Sequence, residues 1–249
     1  MAYDCCKLLP LRNACLIQGG WLFIVNDTNL PVCTVSTSAP EWGMVNIFIW
    51  KIIPDKFGGG KGYIQRYKDA WVIHNKSIIR MASARYHLPV ELLAGVCWIE
   101  VGGDPNFVDR IAFEIRAVDW SGPGYIDNNM TMTKPPAKTS FGSVSMQLST
   151  AANALGLDAA HMNIAQLRAL SNCLQHDAYN IELVARHLRE LANYDHLPMS
   201  LRKEDVRIIG ARYNRGIKPT LNEIKRNSSY GDFIVNHWQR FHKLIWENR

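Results

Sequence analysis

Hydrophobic residues change their rhythm partway along the chain. Before residue 57 they come in short aromatic and β-branched runs, WLFIV and VNIFIW, separated by NDTN, LP and STSAP. Such runs, bounded by turn formers, predict short strands. FGGGKG follows at residues 57 to 62. It lacks the strand-loop-helix setting and the Lys-Ser/Thr pair of a phosphate-binding loop, so the three glycines predict a linker. Beyond them the period lengthens to that of a helix. Trp71, Ile73, Ile78, Ile79, Ala82 and Tyr86 recur at helical spacing across residues 65 to 87. Pro89 suits the first turn of a second helix, PVELLAGVCWIEV, which Gly102 and Gly103 terminate. Residues 103 to 140 are rich in Gly, Pro, Asp and Asn and predict a long irregular excursion, a length that goes with function or disorder. Helical spacing returns in STAANALGL, AQLRALSNCLQ, AYNIELVARHLRELANY, DVRIIGARYN and DFIVNHWQRFHKLIWENR. The pattern predicts a mainly α protein in two parts. Residues 1 to 60 form a small strand-containing extension, and residues 61 to 249 a helical domain of ordinary size.

Composition narrows the class. At 47% hydrophobic and 20% charged over 249 residues, the chain is globular rather than disordered or collagenous. A formal net charge of +6 favours anionic partners, although the excess is spread along the chain without a Lys/Arg run. No stretch approaches the roughly 20 apolar residues of a membrane-spanning helix. The opening MAYDCCKLLPLRNACLIQGG has no apolar core followed by a small-residue cleavage site, so synthesis without a signal peptide is expected. Cys5, Cys6, Cys15 and Cys33 crowd the start, with Cys97 and Cys173 further on, and none has zinc-finger spacing. They read as free or loosely paired thiols, unless the protein reaches an oxidising compartment. The eight histidines form no HExxH or comparable set, so neither metal nor other cofactor is expected.

One carboxylate stands out against this background. Glu100 ends the apolar helix three, four and seven residues after Cys97, Val96 and Leu93, and so shares their face. An acid among apolar neighbours keeps its proton to higher pH, as a general acid must in order to protonate a leaving oxygen. A glutamate paired with Arg110 or Arg116 is the structural alternative. Two more stretches bear on the choice, TSFGSVSMQLSTAANALGL at residues 139 to 157 and RIIGARYNRG at residues 207 to 216.

Taken in order with LLAGVCWIE, these stretches resemble the lysozyme-like superfamily of soluble lytic transglycosylases and goose-type lysozymes. There a helix supplies the catalytic glutamate, a Met-Gln turn lines the sugar cleft, and a Tyr-Asn-x-Gly helix end follows. The resemblance implies a lysozyme-like helical fold that cleaves the β-1,4 bond between N-acetylmuramic acid and N-acetylglucosamine in peptidoglycan. It implies Glu100 as general acid and then base, with substrate held by Ser145, Met146, Gln147, Tyr213 and Asn214. The chain also departs from the family. Val101 stands where a serine is usual, the turn reads FGSVSMQ with its glycine displaced to Gly142, and the gap between acid and turn is long.

A second carboxylate would distinguish the outcomes, because a hydrolase positions water with a second acid. A lytic transglycosylase uses the substrate's own 6-hydroxyl and needs only one. The excursion holds Asp104, Asp109, Glu114, Asp119 and Asp127. Goose-type lysozymes carry aspartates in the corresponding loop, which makes Asp109 and Asp119 the catalytic candidates; each also reads as a turn residue or surface charge. A basic wall-cleaving domain with no signal peptide resembles antibacterial effectors delivered by type VI secretion, or phage lysins released through a holin. That likeness implies action in the periplasm or cell wall of a target cell, with an immunity protein over Glu100 and a secretion component as partners. Two readings of other classes stand beside it. One is a non-catalytic peptidoglycan-binding member of the same fold, favoured by the departures at Val101 and in the turn. The other is a basic nucleic-acid-binding domain, against which stands the absence of any DNA- or RNA-binding signature.

Overall fold

The structure, a computed structural model, describes residues 24–25, 31–32, 40, 42–102, 113 and 135–247. Among them are eleven α-helices: α1 (Met44–Ile52), α2 (Gly60–His74), α3 (Lys76–Arg85), α4 (Val90–Glu100), α5 (Leu148–Ala154), α6 (Ile164–Leu174), α7 (Asp177–Tyr194), α8 (Lys203–Arg215), α9 (Leu221–Arg226), α10 (Ser229–Asn236) and α11 (Trp238–Trp246). Four two-residue strands make two antiparallel pairs, β1 (Ile24–Val25) with β2 (Pro31–Val32) and β3 (Ser140–Phe141) with β4 (Met146–Gln147). The protein is therefore mainly α. The described residues divide between two compact units, the first drawn from residues 1–38 and 106–180, the second from residues 39–105 and 181–249.

The second unit is built round α4. Leu92, Leu93, Ala94, Val96 and Cys97 are fully buried, because α2, α3, α8, α10 and α11 all pack against that helix. Each such leucine or valine contributes about 1.5–3 kcal/mol, so α4 is the central rod of the unit. α8 and α10 touch backbone to backbone at two glycines. A Cβ on Gly210 would lie 2.7 Å from the Gly231 Cα, and one on Gly231 would lie 2.2 Å from the Arg207 carbonyl oxygen. α8 is fastened at its far end by Arg212, which forms a bidentate pair with Asp195 (2.7 and 2.8 Å) and also donates to the Pro219 carbonyl.

Four details differ from the reading of the sequence. WGMVNIFIW, read as a strand, forms α1 instead. Its apolar residues fall on every side rather than alternating, Asn46 Oδ1 accepts from the Gly43 N–H at 3.0 Å, and its inner face lies on α2, where Trp42 meets Tyr67 at 4.4 Å between ring centroids. The helical run at residues 65 to 87 is two helices, α2 and α3, parted at the fully buried Asn75. The last run is likewise divided, into α10 and α11 at His237. The glycines at residues 57 to 62 form a fastened turn. Gly59 N–H donates to the Pro54 carbonyl, Gly62 N–H to Asp55 Oδ1 (2.9 Å), and Arg66 to the Gly58 carbonyl (2.7 Å); α1 and α2 on either side belong to one unit.

In the first unit, β3 and β4 pair in the register Ser140 to Gln147 and Phe141 to Met146. α5 and α6 pack together beside them, and α6 also meets β2. Cys173, on α6, is disulfide-bonded to a cysteine outside the described residues, which corrects the expectation of free or loosely paired thiols at this position.

Candidate active site

Glu100 occupies the last position of α4, and the chain turns away immediately after it. Val101 N–H closes the helix on the Cys97 carbonyl at 3.0 Å, and Gly102 adopts φ +83°, a conformation that only glycine takes without strain. Lys68 of α2 reaches the same end and donates to the carbonyls of Trp98 (2.9 Å) and Ile99 (2.6 Å), satisfying two acceptors that a helix terminus leaves open. Trp98 fixes the other side. Its indole N–H donates to Asp69 Oδ1 at 2.8 Å, its ring stacks on Phe233 at 5.7 Å, and the Arg240 guanidinium sits 4.9 Å from its centroid.

The Glu100 carboxyl, half-buried, accepts a hydrogen bond at Oε1 from the Tyr230 hydroxyl at 2.7 Å. Tyr213 lies behind it, 6.0 Å from Tyr230 between centroids and equally far from His187. Burial pushes the carboxyl above the ordinary carboxylate range, and the Tyr230 hydrogen bond and the Lys68 charge offset only part of that rise. Burial likewise lowers the Lys68 ammonium to about 8, against the pull of Glu100. Both phenols are pushed well up, by burial first and then by the Glu100 charge, so they remain hydrogen-bond donors across the neutral range. The close Gly210–Gly231 crossing of α8 and α10 sets Tyr230 and Tyr213 side by side.

Asn214 is exposed, beyond Tyr213 near the end of α8. Ser145, Met146 and Gln147 belong to the β3–β4 hairpin of the first unit. Its turn is tied down at 2.8 Å by Asn180 Oδ1 accepting from Val144 N–H, and at 2.5 Å by Ser143 Oγ donating to Asp177. Gly142 cannot be replaced there: at φ +80°, a Cβ would lie 2.1 Å from the Leu174 carbonyl oxygen. Ser145 takes φ +44°, a costly conformation for a residue with a Cβ, of the kind that clusters at ligand sites. Met146 is buried, so its side chain serves the core, whereas Gln147 is exposed. Asp109 and Asp119 lie outside the described residues, as do Asp104, Glu114, Asp127 and the arginines once weighed as partners of Glu100.

The chain matches no protein-family model, no curated protein and no solved structure. The chemistry of the site therefore rests on its own residues.

Tyr230 and Lys68 were not singled out from the sequence. Tyr230 meets Glu100 across 130 residues, and YGDF carries no local pattern that marks it. What the cluster can do is keep a proton on a carboxyl to higher pH than an ordinary glutamate does. Its Oε1 is engaged by the Tyr230 hydroxyl. A separate cavity of about 490 Å³ lies between α2 and α11, lined by Asp69, Arg240, Lys243 and Glu247 among others. Glu100 does not line it, and its charged walls are already occupied in part by the Asp69–Arg240 pair at 2.8 Å.

Proposed function

We propose that this protein is a peptidoglycan-cleaving muramidase that acts on the β-1,4 bond between N-acetylmuramic acid and N-acetylglucosamine, with Glu100 as its general acid and then base. The observation that carries the reading is the Glu100 carboxyl itself, at the end of a largely apolar helix, raised above the usual range by burial and steadied by Tyr230. The protonated Glu100 carboxyl donates to the glycosidic oxygen as the C1–O bond breaks. The resulting carboxylate then takes a proton from water or from the 6-hydroxyl of the muramyl residue, which closes the cycle with a reducing or a 1,6-anhydro end. The fold specifics that go with this reading are lysozyme-like, with Gln147, the strained Ser145 turn, Tyr213 and Asn214 as substrate contacts and Asp109 or Asp119 as the group that would hold water.

Action in the periplasm or wall of a target cell, as an antibacterial effector restrained by an immunity protein, belongs to the same proposal. The disulfide at Cys173 supports an oxidising destination, since such bonds persist outside the reducing cytoplasm. The basic balance of the chain suits an anionic wall polymer.

The test is digestion of purified peptidoglycan by wild type and Glu100→Gln, with mass spectrometry of the soluble fragments. The reading requires muropeptides from the wild type and none from the variant. Reducing ends identify a hydrolase and 1,6-anhydro ends a transglycosylase. Equal release by both proteins, or binding to sacculi with no fragments from either, overturns it in favour of a non-catalytic wall-binding module.

A further inference from the structure

α1 packs one side against α2 and, among the described residues, leaves the other bare. Met44, Phe48 and Ile52 are spaced four residues apart and so form one stripe; they are 59%, 55% and 62% exposed, and Val45 beside them is 71% exposed. Phe57, in the turn that follows, is 72% exposed. Large contiguous apolar patches are uncommon on soluble proteins and mark contact surfaces. The opposite side of the helix is where its polar and ring contacts lie, with Asn46 Nδ2 donating to the Tyr63 hydroxyl at 3.0 Å and Trp42 set between Trp50 and Tyr67.

What surrounds the stripe indicates its occupant. Lys51, Lys56 and Lys61 are all exposed in this segment, against a single acid among its described residues, Asp55, whose Oδ1 is engaged by the Gly62 N–H. One of these cations lies directly beside an aromatic ring of the patch, the Lys56 ammonium 4.9 Å from the centroid of Phe57. Lysine and aromatic side chains at the margin of an apolar helical stripe are the composition of an interfacial helix, in which the stripe enters the acyl boundary and the ammonium groups meet headgroup phosphates. At nine residues α1 is far too short to cross a bilayer and of a length to lie on one.

We propose that α1 and the Phe57 turn dock this protein on the surface of an anionic lipid bilayer, with Met44, Val45, Phe48, Ile52 and Phe57 inserted and Lys51, Lys56 and Lys61 on the phosphates. Docking is independent of the chemistry at Glu100. It confines the protein to the plane of a bacterial membrane, where a wall polymer is within reach.

Co-sedimentation of the full chain with large unilamellar vesicles tests it, using phosphatidylethanolamine with 30% phosphatidylglycerol in one set and phosphatidylcholine alone in another. Partitioning to the anionic vesicles should be at least tenfold stronger and should weaken as salt is raised. Phe48→Glu with Ile52→Glu should lower it at least tenfold. Lys51→Glu with Lys56→Glu should remove the preference for anionic lipid. All four positions are exposed, so an unchanged thermal transition confirms that the variants fold, and fragment release from solubilised glycan should be unaffected. Failure of the wild type to sediment, or equal sedimentation of the Phe48/Ile52 variant, overturns the proposal. So does a doubled mass in light scattering that the same variant abolishes, which would make the face a contact between two copies.

Discussion

At the scale of single residues, the account turns on how a carboxyl keeps its proton. Glu100 is raised by burial, and two neighbours, Tyr230 and Lys68, pull the other way. Removing the Tyr230 hydroxyl should therefore move Glu100 further up. Tyr230→Phe should shift the alkaline limb of the activity profile to higher pH while lowering the rate about tenfold or more through lost positioning; an unmoved limb would show that the hydrogen bond does not govern the acid. The same shift makes a stability prediction. A raised carboxyl binds its proton more tightly in the folded state than in the unfolded one, so its contribution is fully present below about pH 4.5, the ordinary value, and is lost as pH rises through the folded value. The melting temperature of wild type relative to Glu100→Gln should accordingly fall as pH rises above the ordinary range. A difference that stays flat across that window would mean the carboxyl is not perturbed. Glu100 was legible in the sequence because its neighbours are local: Leu93, Val96 and Cys97 share its helix face and are fully buried. Tyr230 and Lys68 were not, because both reach Glu100 from other helices.

At the scale of elements, a glycine pair carries much of the geometry. α8 and α10 cross where Gly210 and Gly231 have no side chains, and Tyr230 stands next to that contact. Gly231→Ala must push the helices apart, since the backbone of Arg207 is in the way. Such overpacking costs about 1–3 kcal/mol. Chemical denaturation should read that loss, and activity should fall with it as the Tyr230–Glu100 bond lengthens; full activity would show that the crossing does not place the tyrosine. The helices themselves were largely readable, because amphipathic spacing is a local signal. α1 was not, because a short run of Val, Ile, Phe and Trp satisfies both strand composition and an all-round apolar helix. What decides for the helix is tertiary: Trp42, Tyr63 and Tyr67 receive one face. The single run at residues 65 to 87 breaks at Asn75, a buried side chain that donates from Nδ2 to the Trp71 carbonyl and is invisible to hydrophobic periodicity.

At the scale of the molecule, mainly α architecture followed from the long helical rhythm, whereas the packing of β2 against α6 is a long-range outcome no local pattern encodes. The disulfide at Cys173 belongs to this scale. Cys173→Ser should lower stability by about 2–5 kcal/mol, and reductant should do the same to wild type but not to the variant. Identical melting in all three conditions would mean that the bond contributes nothing. The first unit holds the strained Ser145 turn and the exposed Gln147.

The central claim is that Glu100 is a protonated acid which cleaves a glycan. The most direct measurement is a 13C NMR titration of its side-chain carboxyl, assigned by difference from Glu100→Gln, alongside the pH dependence of muropeptide release. The account predicts a carboxyl that titrates above 4.5 and an alkaline limb of activity with the same midpoint. A carboxyl that titrates at or below that value, or release that continues unchanged once Glu100 has lost its proton, would contradict it.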